Sequence, residues 1–159
     1  MSPVLDAAPR LSVLHGRPVI HIEVSTTVRA PTYVVSSVYA DYMHWHDVFP
    51  TISAVRLIRV EGSRQILEID HREGKVINTL TVLSPDCIEL EEVKRRYDAK
   101  FMNRFDAVPA GTRFTVLGDV CLKGWAKLLT PVLGVYVRRQ MERYQLQPVK
   151  VAAEARIED

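Results

Sequence analysis

The sequence predicts an α+β domain in which a curved, seven-stranded antiparallel sheet wraps around a long C-terminal helix. Three observations predict it. Stretches of period-two alternation recur between residues 20 and 122, separated by short turn-forming clusters. Two short helical segments follow the first stretch. The last third, from Trp125 to about Leu146, instead repeats its apolar residues at helical spacing. A long helix after a meandering antiparallel sheet packs across that sheet, and a strongly curved sheet then encloses a cavity with it.

The first 17 residues show no period and include Pro3, Pro9 and Gly16, so they read as a flexible arm. A single domain is expected over residues 18–153, with a tail over 154–159. In the first strand Ile20, Ile22, Val24, Thr26 and Val28 alternate with His21, Glu23, Ser25, Thr27 and Arg29. Ala30-Pro31-Thr32 ends it, since proline suits a first helical turn where its missing N–H is not needed. A short helix then carries Val34, Val35, Val38 and Tyr39, and a second runs through Trp45 to Phe49, closed by Pro50. Six strands follow, near 52–60, 65–73, 75–83, 87–95, 101–109 and 112–122. Gly62-Ser63, Glu73-Gly74, Ser84-Pro85-Asp86 and Ala110-Gly111 are the turns that join neighbours. In the final helix Leu129, Val132, Leu133, Tyr136, Val137, Gln140, Met141 and Tyr144 share a stripe. Thr130-Pro131 fits an N-cap and first turn, which would set Trp125 to Leu129 apart as a short turn. Pro148 clashes with the carbonyl four residues back, so the helix is expected to kink or stop near Leu146.

A chain of 159 residues, 47% apolar, suffices for one buried core. Its charge of +2, from 21 basic and 19 acidic residues, is too balanced for nucleic acid to be the main partner. Two cysteines are too few for a disulfide framework, and no apolar run reaches membrane-spanning length. A cytoplasmic protein is the expectation, as a monomer or homodimer.

The strand–Ala30-Pro31–helix opening, the segment Tyr42 to Pro50, the hairpin Pro109-Ala110-Gly111-Thr112 and the C-terminal amphipathic helix occur in a specific order. On these pieces, over about residues 19–147, the chain resembles the helix-grip (START/SRPBCC) superfamily. That group includes lipid-transfer START domains, plant pathogenesis-related allergens, polyketide cyclases and coenzyme Q-binding proteins. The bacterial polyketide cyclase/dehydrase-like group is the most similar in character. Pro148 departs from the uninterrupted last helix of that pattern. The resemblance implies a ligand cavity between sheet and helix but no particular chemistry.

Turn positions also give the pairing, because facing residues share a side of the sheet. A loop at Ala110-Gly111 sets Ala107 opposite Phe114, Phe105 opposite Val116 and Asn103 opposite Gly118. A loop at Glu73-Gly74 sets His71 opposite Val76, Ile69 opposite Asn78 and Leu67 opposite Leu80. Around Pro85, Val82 meets Ile88, which sets Leu80 by Leu90 and Asn78 by Glu92. One inner face results. It carries Leu80, Phe101, Phe105, Phe114, Val116, Val120 and Leu122 together with His71, Asn78, Glu92 and Asn103. In strand 52–60, Val55 and Leu57 compete with Ile58 and Val60 for that face.

A buried carboxylate is costly unless hydrogen-bonded or paired. Glu92 beside Asn78, with Asn103 on the next strand, is placed to orient a hydroxyl or carbonyl of a bound molecule. The alternative is that these residues lie solvated near the open end of the sheet, which Lys94, two positions on, favours. Tyr136 and Gln140 on the last helix are candidate ligand contacts or core residues. Trp45 is either a core plug or a lid over the mouth. His44 and His46 point to opposite sides if helical and lack a full ligand set even with His71, so no metal is expected. Cys121 alternates with the inner face and points outward, and nucleophilic catalysis is not expected. Lys94-Arg95-Arg96 and Arg138-Arg139 read as solvated faces, with a weak membrane-surface contact as the alternative.

Three functions fit. The first is binding or transport of a mostly apolar small molecule (lipid, isoprenoid or polyketide-like) without a cofactor. The second is a polyketide cyclase or dehydratase using Glu92 or His71 as general acid/base. The third is an interaction module with a filled interior. If Phe105 and Phe114 line an open pocket, Phe105→Trp is expected to cost little stability.

Overall fold

The computed structural model describes residues 19–159, and the expected N-terminal arm lies outside them. The chain forms β1 (Val19–Val28), α1 (Thr32–Ala40), a 3-10 turn (Tyr42–His44), α2 (Trp45–Val48) and β2 (Ile52–Glu61). Five more strands follow: β3 (Arg64–His71), β4 (Gly74–Ser84), β5 (Cys87–Val93), β6 (Tyr97–Val108) and β7 (Gly111–Leu122). The last third is a 3-10 segment (Gly124–Leu129), α3 (Thr130–Met141), a π-helical turn (Glu142–Leu146) and α4 (Gln147–Glu158). The seven antiparallel strands form one sheet in the order β1-β7-β6-β5-β4-β3-β2. This is the α+β helix-grip architecture, with both short helices after the first strand.

The alternation of β1 buries Ile20, Ile22, Val24 and Val28 and leaves His21, Glu23 and Ser25 outside. The passage into α1 is fixed from across the sheet, where the Thr112 hydroxyl donates to the Ala30 carbonyl over 2.7 Å. Gly111 must be glycine there: its φ is +134°, and a Cβ would collide with the Val28 carbonyl oxygen.

The pairing of β4 with β5 follows the expected register, with Asn78 facing Glu92, Leu80 facing Leu90 and Val82 facing Ile88. The flanking hairpins are each displaced by two residues. Phe105 faces Phe114 and Phe101 faces Gly118, because Pro109-Ala110 is the loop. Likewise His71 faces Gly74 and Ile69 faces Val76, because Arg72-Glu73 turns. A shift of two keeps every side chain on its face and changes only its height along the strand. Edge strand β2 carries irregularities between Ile52 and Ala54 and between Leu57 and Arg59. The second inserts Ile58, so Val55, Leu57 and Val60 all share the face of Ile69, Leu67 and Gln65. That one extra residue brings Val60 onto the face of Leu57, while Leu57, Ile58 and Val60 all remain exposed at this edge.

The packed core lies under α1 and α4. Tyr39 is at its centre, in contact with the rings of Trp45, Phe49, Phe105 and Phe114. Leu146, Val149 and Ala153 seal it from the C-terminal side. By contrast α3 is not a buried helix: Val132, Val135 and Tyr136 are exposed, and Leu133 and Val137 are half-buried. Its apolar stripe stands off from the sheet because a cavity lies beneath it. Thr130 does not cap α3; its hydroxyl bonds back to the Lys127 carbonyl over 2.7 Å. The helix does not stop at Leu146 either. The π-helical turn widens the spiral by one residue just before Pro148, which relieves the clash with the preceding turn. Residues 154–158, expected as a tail, are helical, and Glu154 accepts the Arg29 backbone N–H over 2.9 Å. Cys121 alternates with the inner-face Val120 and Leu122 as expected, and is buried on the opposite face.

Candidate functional site

A cavity of about 770 Å³ lies between the sheet and the α3–π segment. Its sheet wall is apolar, formed by Ile69, Val76, Leu90, Phe101, Val120 and Leu122. Leu133, Val137 and Met141 close it from the helix, and Tyr39, Trp45 and Phe49 from the short helices. Its mouth lies where the β3–β4 turn (Arg72-Glu73), the β5–β6 turn (Lys94 to Arg96) and Trp125 converge. Antiparallel pairing places these three connections at the same end of the sheet.

A cluster of polar groups centred on Glu92 interrupts that apolar wall. Glu92 is largely buried, and Asn78 Nδ2 donates to its Oε1 over 3.4 Å. The Tyr97 hydroxyl donates to Oε2 over 3.5 Å, and Lys94 Nζ lies 3.6 Å from the same oxygen. All three contacts are at or beyond the long end of hydrogen-bond range, so the carboxylate is neutralised without being saturated. The pairing pushes back. Burial disfavours the Lys94 ammonium, yet Glu92 and Tyr97 hold it above the ordinary lysine value. Burial and the Glu92 charge push the Tyr97 phenol up to about 12. Tyr39 is raised by burial and then by Glu92, so both phenols stay protonated at neutral pH. His71, at the end of β3, has its pKa lowered by burial and then by Lys94, and is a neutral imidazole at pH 7. The Glu73 backbone N–H points at its Nδ1 over 3.4 Å, which suits the tautomer protonated at Nε2. Of the five buried side-chain acceptors without a hydrogen-bond partner among the described residues, Asn78 Oδ1 and Gln145 Oε1 border the cavity.

Of the candidates named from the sequence, Trp45, His71, Asn78, Glu92, Phe101, Tyr136 and Gln140 border the cavity. Leu80, Asn103, Phe105 and Phe114 do not. They keep the expected face but sit lower, in the closed core. Asn103 is occupied structurally, donating to the Tyr39 hydroxyl over 3.1 Å and to the Ile88 carbonyl over 3.2 Å. Phe105 and Phe114 stack with centroids 5.1 Å apart. Trp45 is a plug rather than a lid: it is buried, and its indole N–H donates to the Tyr39 carbonyl over 2.8 Å. His44 and His46 lie outside the site, beside Asp41 and Asp47 respectively. Sequence reasoning missed Tyr39 and Tyr97. Tyr97 was accessible to it, since the alternation Phe101, Ala99, Tyr97 continues the inner face two rungs beyond the expected start of the strand.

No protein-family model and no curated protein matches the sequence. Solved structures do match. The di-domain aromatase/cyclase StfQ of the steffimycin biosynthetic pathway is 15% identical, with a TM-score of 0.74 over 89% of this chain and 52% of that one. The chain thus spans about half of StfQ. The Zhui aromatase/cyclase from Streptomyces sp. R1128 is 20% identical, with a TM-score of 0.66 over 87% and 96% of the two chains. A START superfamily protein from Mycobacterium smegmatis is 18% identical, with a TM-score of 0.58 over 88% and 97%. At these identities the likeness is one of fold: the chain has the helix-grip fold that aromatase/cyclases and START proteins share.

Proposed function

We propose that this domain binds a mostly apolar small molecule in the cavity, with Glu92 orienting an oxygen function of the ligand, and that it serves as a binding or carrier protein. The observation that carries this reading is a loosely held, largely buried carboxylate in the wall of a roomy apolar cavity. The volume falls within the range of about 300–1,000 Å³ typical of small-molecule pockets. A filled interior, which an interaction module would have, does not fit it. The unpartnered acceptors Asn78 Oδ1 and Gln145 Oε1 support a ligand that carries hydrogen-bond donors. No described helix is long and apolar enough to cross a membrane.

The test is native mass spectrometry of freshly purified protein, together with titration of a fluorescent, uncharged naphthylamine probe. A co-purifying molecule, or saturable probe uptake at one site per chain, is expected. Absence of both would overturn the reading.

One arrangement favours polyketide cyclisation as a second reading. A neutral imidazole, His71, is available to accept a proton, while Tyr97 and Lys94 beside Glu92, held protonated by their raised pKa values, are suited to hydrogen-bond a carbonyl oxygen rather than to give a proton up. The fold shared with StfQ and Zhui supports that reading. It requires turnover of a poly-ketone, with loss of activity in both the Glu92 and His71 variants.

A further inference from the structure

The cavity mouth is surrounded by a surface with no partner among the described residues. Trp125 and Leu128 on the 3-10 segment are 69% and 77% exposed, and Val132 and Val135 on α3 are 71% and 65% exposed. Their spacing, 125, 128, 132 and 135, forms one exposed helical stripe that begins with Trp125 at the mouth. Between Asp119 and Glu142 the chain has Lys123, Lys127, Arg138 and Arg139 and no acidic residue. Beside this stripe the two turns at the same end add Arg72, Arg95 and Arg96, all exposed and without a carboxylate partner among the described residues. Lys94 and Lys123 are paired with Glu92 and Asp98, and Glu73 is an exposed acid on the rim. An exposed tryptophan and leucine surrounded by unpaired cations is the composition of a segment that lies in the interface of an anionic bilayer.

We propose that this end of the domain docks on an anionic lipid surface. Trp125 and Leu128 enter the headgroup boundary, and Arg72, Arg95, Arg96 and Lys127 face lipid phosphates. The mouth then opens onto the bilayer, and an apolar ligand passes between membrane and cavity without crossing water. Charge argues against the other occupants. A two-fold contact between copies would set this cationic surface against itself. Residues 1–18 carry Arg10 and Arg17 against Asp6, so they offer no complementary charge. The purpose of docking rests on the ligand-binding reading, but docking is measured without any ligand, so either can fail alone.

The experiment is flotation of the full chain with vesicles of phosphatidylcholine, alone or mixed with phosphatidylglycerol, at low and high salt. Tryptophan emission is recorded in parallel; Trp45 is already buried, so a blue shift reports Trp125. Binding is expected with phosphatidylglycerol only, with a blue shift, and is lost in high salt. Arg95→Ser/Arg96→Ser should weaken it about thirtyfold, at roughly 1 kcal/mol per basic residue near the surface. Leu128→Ser should abolish the shift without changing the fold. Failure to bind mixed vesicles, binding indifferent to phosphatidylglycerol, or a dimer that is dissociated by Leu128→Ser would each overturn the proposal.

Discussion

Phe101 on β6 lies over Gly118 on β7, and a Cβ built on the glycine would stand 2.8 Å from the ring's Cδ1. The ring bounds the cavity, so the missing side chain at 118 sets where the apolar wall stands. Gly118→Ala is expected to push Phe101 toward the cavity, at a cost of about 1–3 kcal/mol from overpacking. Affinity for the naphthylamine probe should fall in the same variant. Titration and urea unfolding measure the two effects, and unchanged uptake would mean that Phe101 does not limit the space.

Glu92→Gln removes the charge while keeping the shape. The fold should persist by circular dichroism, and probe affinity or ligand preference should change. Lys94, held above the ordinary lysine value by Glu92 and Tyr97, should become easier to deprotonate. If the cyclase reading is right, turnover should drop by about 10²–10⁴-fold. Identical binding and turnover in wild type and variant would remove Glu92 from the site.

Phe105 stacks on Phe114 in the closed core, so Phe105→Trp has no free space to enter. A loss of about 1–3 kcal/mol is expected, with probe uptake preserved. Reduced uptake at unchanged stability would instead place this ring at the cavity.

Leu146 and Val132 belong to one apolar C-terminal segment but lie on opposite sides of the cavity's influence. Leu146 is sealed into the core, and Leu146→Ala should cost about 2–5 kcal/mol. Val132 is exposed, and Val132→Ala should stay within roughly 0.5 kcal/mol. Equal losses would mean that α3 packs as tightly as α4.

His71 and His44 should titrate on opposite sides of the ordinary histidine value. Burial and Lys94 lower His71, whereas the hydrogen bond that the His44 ring donates to Asp41, and the Asp41 charge, raise the exposed His44. For His71 the unfolded chain binds the proton more readily, so its contribution is complete above the unfolded pKa and is lost as pH falls through the lower folded one. For His44 the contribution is present below its unfolded value and is lost as pH rises through the folded one. Ligand uptake should weaken as pH falls below the ordinary histidine value and through the lower one of folded His71, where the ring gains charge beside the cavity. Imidazole resonances followed by NMR check the order, and coincident titration would contradict it.

Period and turn chemistry are local properties, and the sequence alone determined what depends on them. The seven strands, the two short helices, the inner face and the Asn78–Glu92 pair can all be read from alternation and turns. Even the displaced hairpins kept their faces, because an error of two residues preserves the side of a strand. Height along a strand is not local. Which rungs are roofed by α1 and α4, and which face the space under α3, depends on packing between elements far apart in the chain. That packing put Asn103, Phe105 and Phe114 in the closed core and brought Tyr39 and Tyr97 to the cavity. It also decided that the α3 stripe faces open space rather than the sheet. An apolar stripe at helical spacing looks the same whether it meets a core, a cavity or a surface, and only the tertiary structure supplies what stands opposite.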